Sequence, residues 1–169
     1  DYLIDLGSGD GRIIITAAKK HGARGHGIDI QDKLVELARK NANTEGVADR
    51  VKFVRGDIME ADLSQASVIT TYLLPSTISK LVPKFLKELK PGTRIVSHDY
   101  PINPLVHERV ASYDFEEKRA ISGTTLTVVY LYLIPARIDG EWAMNIALPA
   151  AGGRPLALRF DQRAESLTG

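Results

Sequence analysis

Three glycines at alternate positions, Gly7, Gly9 and Gly11, separate a short apolar run ending at Leu6 from a segment of helical spacing that begins at Arg12. Strand, tight turn and helix in that order carry bare backbone N–H groups to a helix N-terminus and let a ligand approach with no Cβ in the way. The stretch reads as a nucleotide-type cradle. Its spacing is not the G-x-G-x-x-G of a dinucleotide fingerprint, because Arg12 stands where the third glycine belongs. No G-x-x-x-x-G-K-[ST] phosphate loop occurs either.

Strand and helix patterns alternate on both sides of this turn. Residues 2–6 predict a strand, and residues 12–21 a helix with Ile13, Ile14, Ala17 and Ala18 on one face and Gly22 as its stop. A second strand over 25–30 carries Asp29 at its end. A helix over 31–44 turns Leu34, Leu37 and Ala38 to one side, and a third strand over 51–55 closes at Gly56-Asp57. Residues 66–71 form a fourth strand leading into Tyr72-Leu73-Leu74-Pro75, with Ser76 as the expected N-cap of a helix that Pro83 divides or kinks. Residues 94–97 form a fifth strand ending at His98-Asp99-Tyr100. Such alternation indicates right-handed βαβ units, a parallel sheet and an α/β fold.

Beyond Tyr100 the pattern changes. A short helix is expected over 105–111 and strands over 113–120 and 125–135, the last of them buried on both faces, with Tyr130 and Tyr132 in the core. From 136 onward, Asp139-Gly140 reads as a hairpin-type turn, 142–148 as a strand, 150–154 as a loop and 156–160 as a strand. This gives a main domain over 1–135 and an antiparallel β appendage over 136–169. The chain opens on a core strand and its appendage lacks a closing element, so further segments are expected upstream, and the appendage reads as truncated.

Composition sets the outer bounds. With 169 residues, 44% hydrophobic and 25% charged, the chain supports one domain with a real core. Its 22 basic and 21 acidic residues are dispersed and leave no electrostatic footprint for nucleic acid. The absence of cysteine removes disulfides, thiol nucleophiles and Cys-based metal sites, and it suits a reducing, cytoplasmic compartment. His21, His26, His98 and His107 show no metal-ligand spacing, so no metal is expected. No stretch is long and apolar enough to span a membrane.

The order of these features over residues 1–135 resembles the class I methyltransferase fold, a Rossmann-like, mostly parallel sheet with an antiparallel last strand. Asp5-Leu6-Gly7-Ser8-Gly9-Asp10-Gly11 resembles its first motif, Gly27-Ile28-Asp29 the acidic end of strand two, Gly56-Asp57-Ile58 the end of strand three, and Leu89 to Thr93 the lead-in to strand five. More narrowly, the first motif with Arg12, the Tyr72-Leu73-Leu74-Pro75 segment and Arg94 to Asp99 are similar to bacterial relatives of the ATP synthase c-subunit lysine methyltransferase. The resemblance implies a cofactor, S-adenosyl-L-methionine (SAM), left as S-adenosyl-L-homocysteine after reaction, and methylation of a protein lysine. It also implies that Asp5, Gly7, Ser8, Gly9, Gly11, Arg12, Asp29, Ile30, Asp57, Ile58 and Tyr72 form the cofactor site.

In that reading Asp29 accepts both ribose hydroxyls, Asp57 accepts from the adenine amino group, and Asp5 orients the turn and the methionine end. The alternatives are a solvated loop acid at Asp29, a turn cap at Asp57 and a surface side chain at Arg12. Tyr72, His98 and Asp99 are the candidates for the acceptor side, against packing for Tyr72 and loop capping for the other two. Tyr72 to Pro75 lacks the amide or carboxylate that amide- and base-methylating relatives place there, which disfavours those substrates. A small-molecule or RNA methyltransferase and a non-catalytic SAM-binding scaffold remain the competing functions.

Overall fold

In the computed structural model, which describes residues 1–138, 140–144, 156–163 and 166–168, the apolar run Tyr2–Leu6 forms strand β1, an interior strand of a seven-stranded sheet. Helix α1 (Arg12–His21), β2 (Arg24–Asp29), α2 (Asp32–Thr44), β3 (Val51–Arg55), β4 (Val68–Thr71), α3 (Pro75–Glu88) and β5 (Arg94–His98) follow in chain order. Then come β6 (Arg109–Asp114), α4 (Glu116–Ser122) and β7 (Leu126–Leu133). The strand order is β3-β2-β1-β4-β5-β7-β6. β1 pairs in parallel with both β2 and β4, whereas β7 runs antiparallel to β5 and β6. The order therefore reverses at β1, and ligands in open sheets of this kind bind beyond the strand ends at such a switch point.

Helices α1 and α2 close one face of the sheet around Ile14, Ile15, Ala18, Val35, Ala38 and Phe53. The inward face differs from the one expected. Ile15 and Val35 are buried, while Ile13 and Leu37 are 39% and 43% exposed and, with Leu34, line a cleft. Apolar spacing on a helix registers a cleft wall and a core contact alike. Gly11 is fixed here by packing: its φ is +81°, and an added Cβ would lie 2.5 Å from the Phe53 ring inside the buried cluster. Gly11→Ala is expected to cost about 1–3 kcal/mol of stability through overpacking and a left-handed backbone. The measurement is the urea midpoint at constant m-value, and an unmoved midpoint would mean that the Phe53 ring yields freely.

Pro83 does not divide α3. Ile78, Leu81, Val82 and Phe85 are all buried, and burial worth about 1.5–3 kcal/mol for each large side chain outweighs the roughly 3 kcal/mol cost of an interior proline. Pro75 occupies the first turn and Leu74 is the N-cap, so Ser76 lies inside the helix rather than capping it. The stretch expected as a helix over 105–111 enters β6 instead, because Val110 to Asp114 pair residue by residue with β7. The strand expected over 113–120 ends at Asp114 and gives way to α4, with Glu116 and Glu117 in its first turn and Gly123 as a left-handed C-cap. β7 itself is only partly covered: Thr127 and Tyr132 are buried, while Leu126 and Leu133 are exposed at its ends.

The chain divides into two compact units, Asp1–Ile134 and Pro135–Gly169. The second contains an antiparallel sheet of β8 (Gly140–Met144), β9 (Leu156–Arg163) and β10 (Ser166–Thr168). Gly140 opens β8 rather than sitting in a turn, and a third strand follows where no closing element was expected. Asp139, the far end of the strand expected over 142–148, and the loop expected over 150–154 lie outside the described residues.

Candidate functional site

Two clefts meet at the glycine turn, and Gly7 lines both. The smaller, about 310 Å³, is bounded by Asp29, Ile30, Gly56, Asp57, Ile58, Met59, Leu73 and Thr77. The larger, about 720 Å³, runs from Ser8, Gly9 and Asp10 past Ile13 and Leu37 to Tyr72, Val96, His98 and Val129. Tyr72 faces the larger cleft and its neighbour Leu73 the smaller. The neck between them demands glycine: at Gly7 (φ +74°) a Cβ would approach Leu73 Cδ2 to 2.8 Å.

The strand-end acids are built into this framework in three different ways. Asp29 is buried, with its two oxygens accepting the N–H groups of Gly9 and Gln31 at 2.9 Å each. It is thus no solvated loop acid; it pins the glycine turn to β2 and keeps lone pairs on both oxygens for further donors. Asp57 is exposed, and its Oδ1 accepts the Met59 N–H at 2.8 Å, an Asx turn that holds the wall of the smaller cleft. Asp5 is 1% exposed beneath the turn and accepts the Thr70 hydroxyl at 2.6 Å on one oxygen. Burial raises its pKa to about 6 against the lowering effect of Thr70, with Asp29 and Asp10 adding repulsion.

Three buried polar atoms around the turn have no partner among the described residues: Asp5 Oδ2, Ser8 Oγ and Thr71 Oγ1. Ser8 and Thr71 line the larger cleft. An orphaned buried group costs about 1–3 kcal/mol, so these atoms mark a place completed by a polar ligand. SAM fits the part of this set that the clefts expose, with polar groups for Ser8 and Thr71, hydroxyls for Asp29 and an apolar strip of Ile30, Ile58 and Leu73, while Asp5 lies beneath the turn and lines neither cleft. Arg12 stays on the surface, chelating Asp10 through Nε and Nη2 at 2.6–3.1 Å.

At the other end of the larger cleft, Tyr72 packs edge-on against His98 at 4.1 Å between ring centroids and stacks beside Tyr100 at 6.5 Å. Burial lowers the His98 pKa, so its imidazole is neutral at neutral pH, and burial together with the charge of Asp99 raises that of Tyr72. Asp99 is held by Lys118 Nζ at 2.6 and 2.7 Å and by the Val128 N–H. Thr70, Thr71, Leu73, Tyr100 and Lys118 escape the sequence reading. The two threonines carry a signal, adjacent hydroxyls in an apolar strand, whereas Lys118 carries none.

The model of the ANTKMT methyltransferase domain matches residues 5–109, which contain every element of both clefts up to β6. The chain belongs to this family. Similar proteins include a protein-lysine N-methyltransferase of Saccharolobus islandicus (strain REY15A), 41% identical over 79% of this chain and 80% of its own length. The human ATP synthase c-subunit lysine N-methyltransferase is 36% identical over 59% of this chain, which spans 42% of that protein's length. A solved structure of an RNA methyltransferase from Salinibacter ruber in complex with S-adenosyl-L-homocysteine is 49% identical, with a TM-score of 0.71 over 82% of this chain and 84% of that one. A SAM-dependent methyltransferase from Geobacter sulfurreducens shares the fold at 18% identity and a TM-score of 0.62. This ANTKMT domain is a SAM-dependent methyltransferase with the class I α/β fold.

Proposed function

We propose that this methyltransferase acts on the side-chain amine of a lysine in a protein. The observation that carries the reading is the wall of the larger cleft. Beyond the turn it is made of Ile13, Leu34, Leu37, Val96, Val129, Tyr72 and His98 with Thr70 and Thr71, and the carboxylates of Asp10 and Asp99 are committed to Arg12 and Lys118. Bound SAM supplies an electrophilic methyl on a sulfonium. The acceptor must then present a free lone pair, and an apolar cleft disfavours the protonated form of an amine relative to the neutral one. The Tyr72 and His98 rings offer faces and edges to a long aliphatic stem and its amine without fixing a planar amide. After transfer the methylated amine carries the positive charge, and its proton leaves to water.

In this reading Asp29, Asp57, Ile30 and Ile58 hold the adenosine half, and Asp5, Ser8 and the glycine turn hold the methionine half. Positioning supplies most of the rate, since an in-line transfer between two bound groups needs alignment more than acid–base help. The lysine methyltransferases of S. islandicus and human named above support a protein acceptor. The S. ruber RNA methyltransferase favours RNA as the second reading. Against it, Arg12, already paired with Asp10, is the one cation among the described residues lining the cleft, where a phosphate backbone calls for several free cations. Among the described residues no helix is long and apolar enough to cross a membrane.

Methyl-labelled SAM, incubated with the protein and with separate protein and RNA fractions of a lysate, tests the proposal. Label is expected in the protein fraction, recovered as N-methylated lysine after acid hydrolysis. Label in RNA alone would overturn the lysine reading in favour of the second, and label in neither, from a chain that binds S-adenosylhomocysteine, would favour a scaffold.

A further inference from the structure

Asp99 and Lys118 form an ion pair on the β5 side of the larger cleft whose placement is costly. Asp99 adopts φ +63°, a left-handed conformation rare outside glycine. Its N–H donates to the Val128 carbonyl at 2.6 Å, and its Oδ1 accepts the Val128 N–H at 3.1 Å. Lys118 reaches back from α4 and donates to both carboxylate oxygens and to the Leu126 carbonyl at 2.5 Å. The two side chains are only 15% and 13% exposed. A shielded ion pair is by itself weak evidence of stabilisation, since desolvation offsets its attraction, so its position has to be explained another way.

That position is beside the cleft wall. His98 Nε2 lies 3.8 Å from Asp99 Oδ1, and Tyr72, packed on His98, feels the charge of the same carboxylate. Among the described residues, the titratable and charged groups around Asp99 are thus His98 on β5, Tyr72 beyond β4, Tyr100 beyond β5 and Lys118 on α4, while β7 contributes the Val128 backbone. Of these, Lys118 alone is a permanent cation near neutral pH. Take it away, and an uncompensated carboxylate would stand behind the two rings that face the acceptor. Such a charge favours imidazolium at His98 and ammonium at an incoming amine, and an ammonium has no lone pair to attack a methyl group.

We propose that Lys118 is a positioning residue that masks the charge of Asp99, so that the acceptor amine meets a wall of neutral rings and enters in its reactive, unprotonated form. The inference rests on the lysine reading for its consequence in catalysis, while the masking itself is a property of the folded chain.

Lys118→Met, Asp99→Asn and the double variant test it with two readouts. The first needs no acceptor: NMR titration of the His98 imidazole in the protein bound to S-adenosylhomocysteine. Lys118→Met should raise the His98 pKa by about one unit, as expected for a charge exposed at this range. Asp99→Asn should lower it, and the double variant should fall between. The second readout is the pH dependence of methyl transfer to poly-L-lysine. Lys118→Met should move the acid limb of kcat about one pH unit to the alkaline side with KM unchanged or lower, Asp99→Asn should move it the other way with a higher KM, and the double variant should return toward the parent. If Lys118→Met fails to fold, the opposite shift in Asp99→Asn still decides. An unmoved His98 titration in the folded variants overturns the masking and leaves Lys118 a structural clamp. Failure of the parent protein to methylate any lysine, with the His98 shifts intact, overturns the lysine reading instead.

Discussion

Asp29→Ala is expected to weaken binding of S-adenosylhomocysteine about 30- to 1000-fold. Each charge-assisted hydrogen bond to a ribose hydroxyl is worth roughly 1.5–3 kcal/mol, less where water competes, and a net loss of about 2–4 kcal/mol corresponds to that range. The same substitution acts on the empty protein. Asp29 is buried and holds the N–H groups of Gly9 and Gln31, so alanine orphans two backbone donors and frees the turn. An added stability loss of about 1–3 kcal/mol follows, seen as a Tm lower by about 2–12 °C without ligand. Titration calorimetry and a thermal melt separate the two effects. A lower Tm with unaltered affinity would make Asp29 a brace of the turn only, and unaltered values of both would remove it from the site.

The contrast between those two effects shows how far the sequence reaches. The strand-end acids and the glycine turn are legible because each is a local motif at the end of an apolar run, and alternation of strand and helix then brings those ends together at the switch between β2-β1 and β4. What Asp29 does for the turn is not legible, because its partner Gly9 lies 20 residues away and donates through the backbone. The same limit explains the misplaced helix faces. Ile13 and Leu37 are as apolar as Ile15 and Val35, and only the path of the chain assigns one pair to the cleft and the other to the core. Between 105 and 122 local pattern fails outright: Val110 to Asp114 has no strong periodicity, and pairing with β7 makes it a strand. Lys118 is the extreme case, an ordinary helix lysine in sequence that the fold brings to Asp99.

Asp5→Asn should stabilise the ligand-free protein while weakening its hold on the cofactor. In the folded chain the Asp5 carboxyl titrates near pH 6, chiefly because it is buried, against an ordinary value of 3.8. Between those two values the folded chain keeps a proton that the unfolded chain has already lost. Stability from this group is therefore complete below about pH 3.8 and declines as pH rises through 6, an unfavourable contribution at neutral pH of about 3 kcal/mol. Asparagine has no charge to desolvate and can still accept the Thr70 hydroxyl. Its amide NH2 takes the place of the Asp5 Oδ2 that no donor reaches, and a buried N–H left without an acceptor there returns about 1 kcal/mol or more. The expected net gain is about 1–2 kcal/mol at pH 7.5, with this group's pH dependence between 4 and 6 abolished. Under the proposal that Asp5 helps hold the methionine half, its charge answers the ligand's ammonium through the turn above it, and affinity for S-adenosylhomocysteine should fall about 10- to 100-fold. In the parent protein the same affinity should weaken as pH drops below 6 and Asp5 takes up its proton. Urea unfolding and ligand titration across pH 4–8, for parent and variant, read both effects. A variant less stable than the parent at pH 7.5, or one that keeps the parent's full pH dependence, would show that Asp5 is not the strained acid beneath the turn.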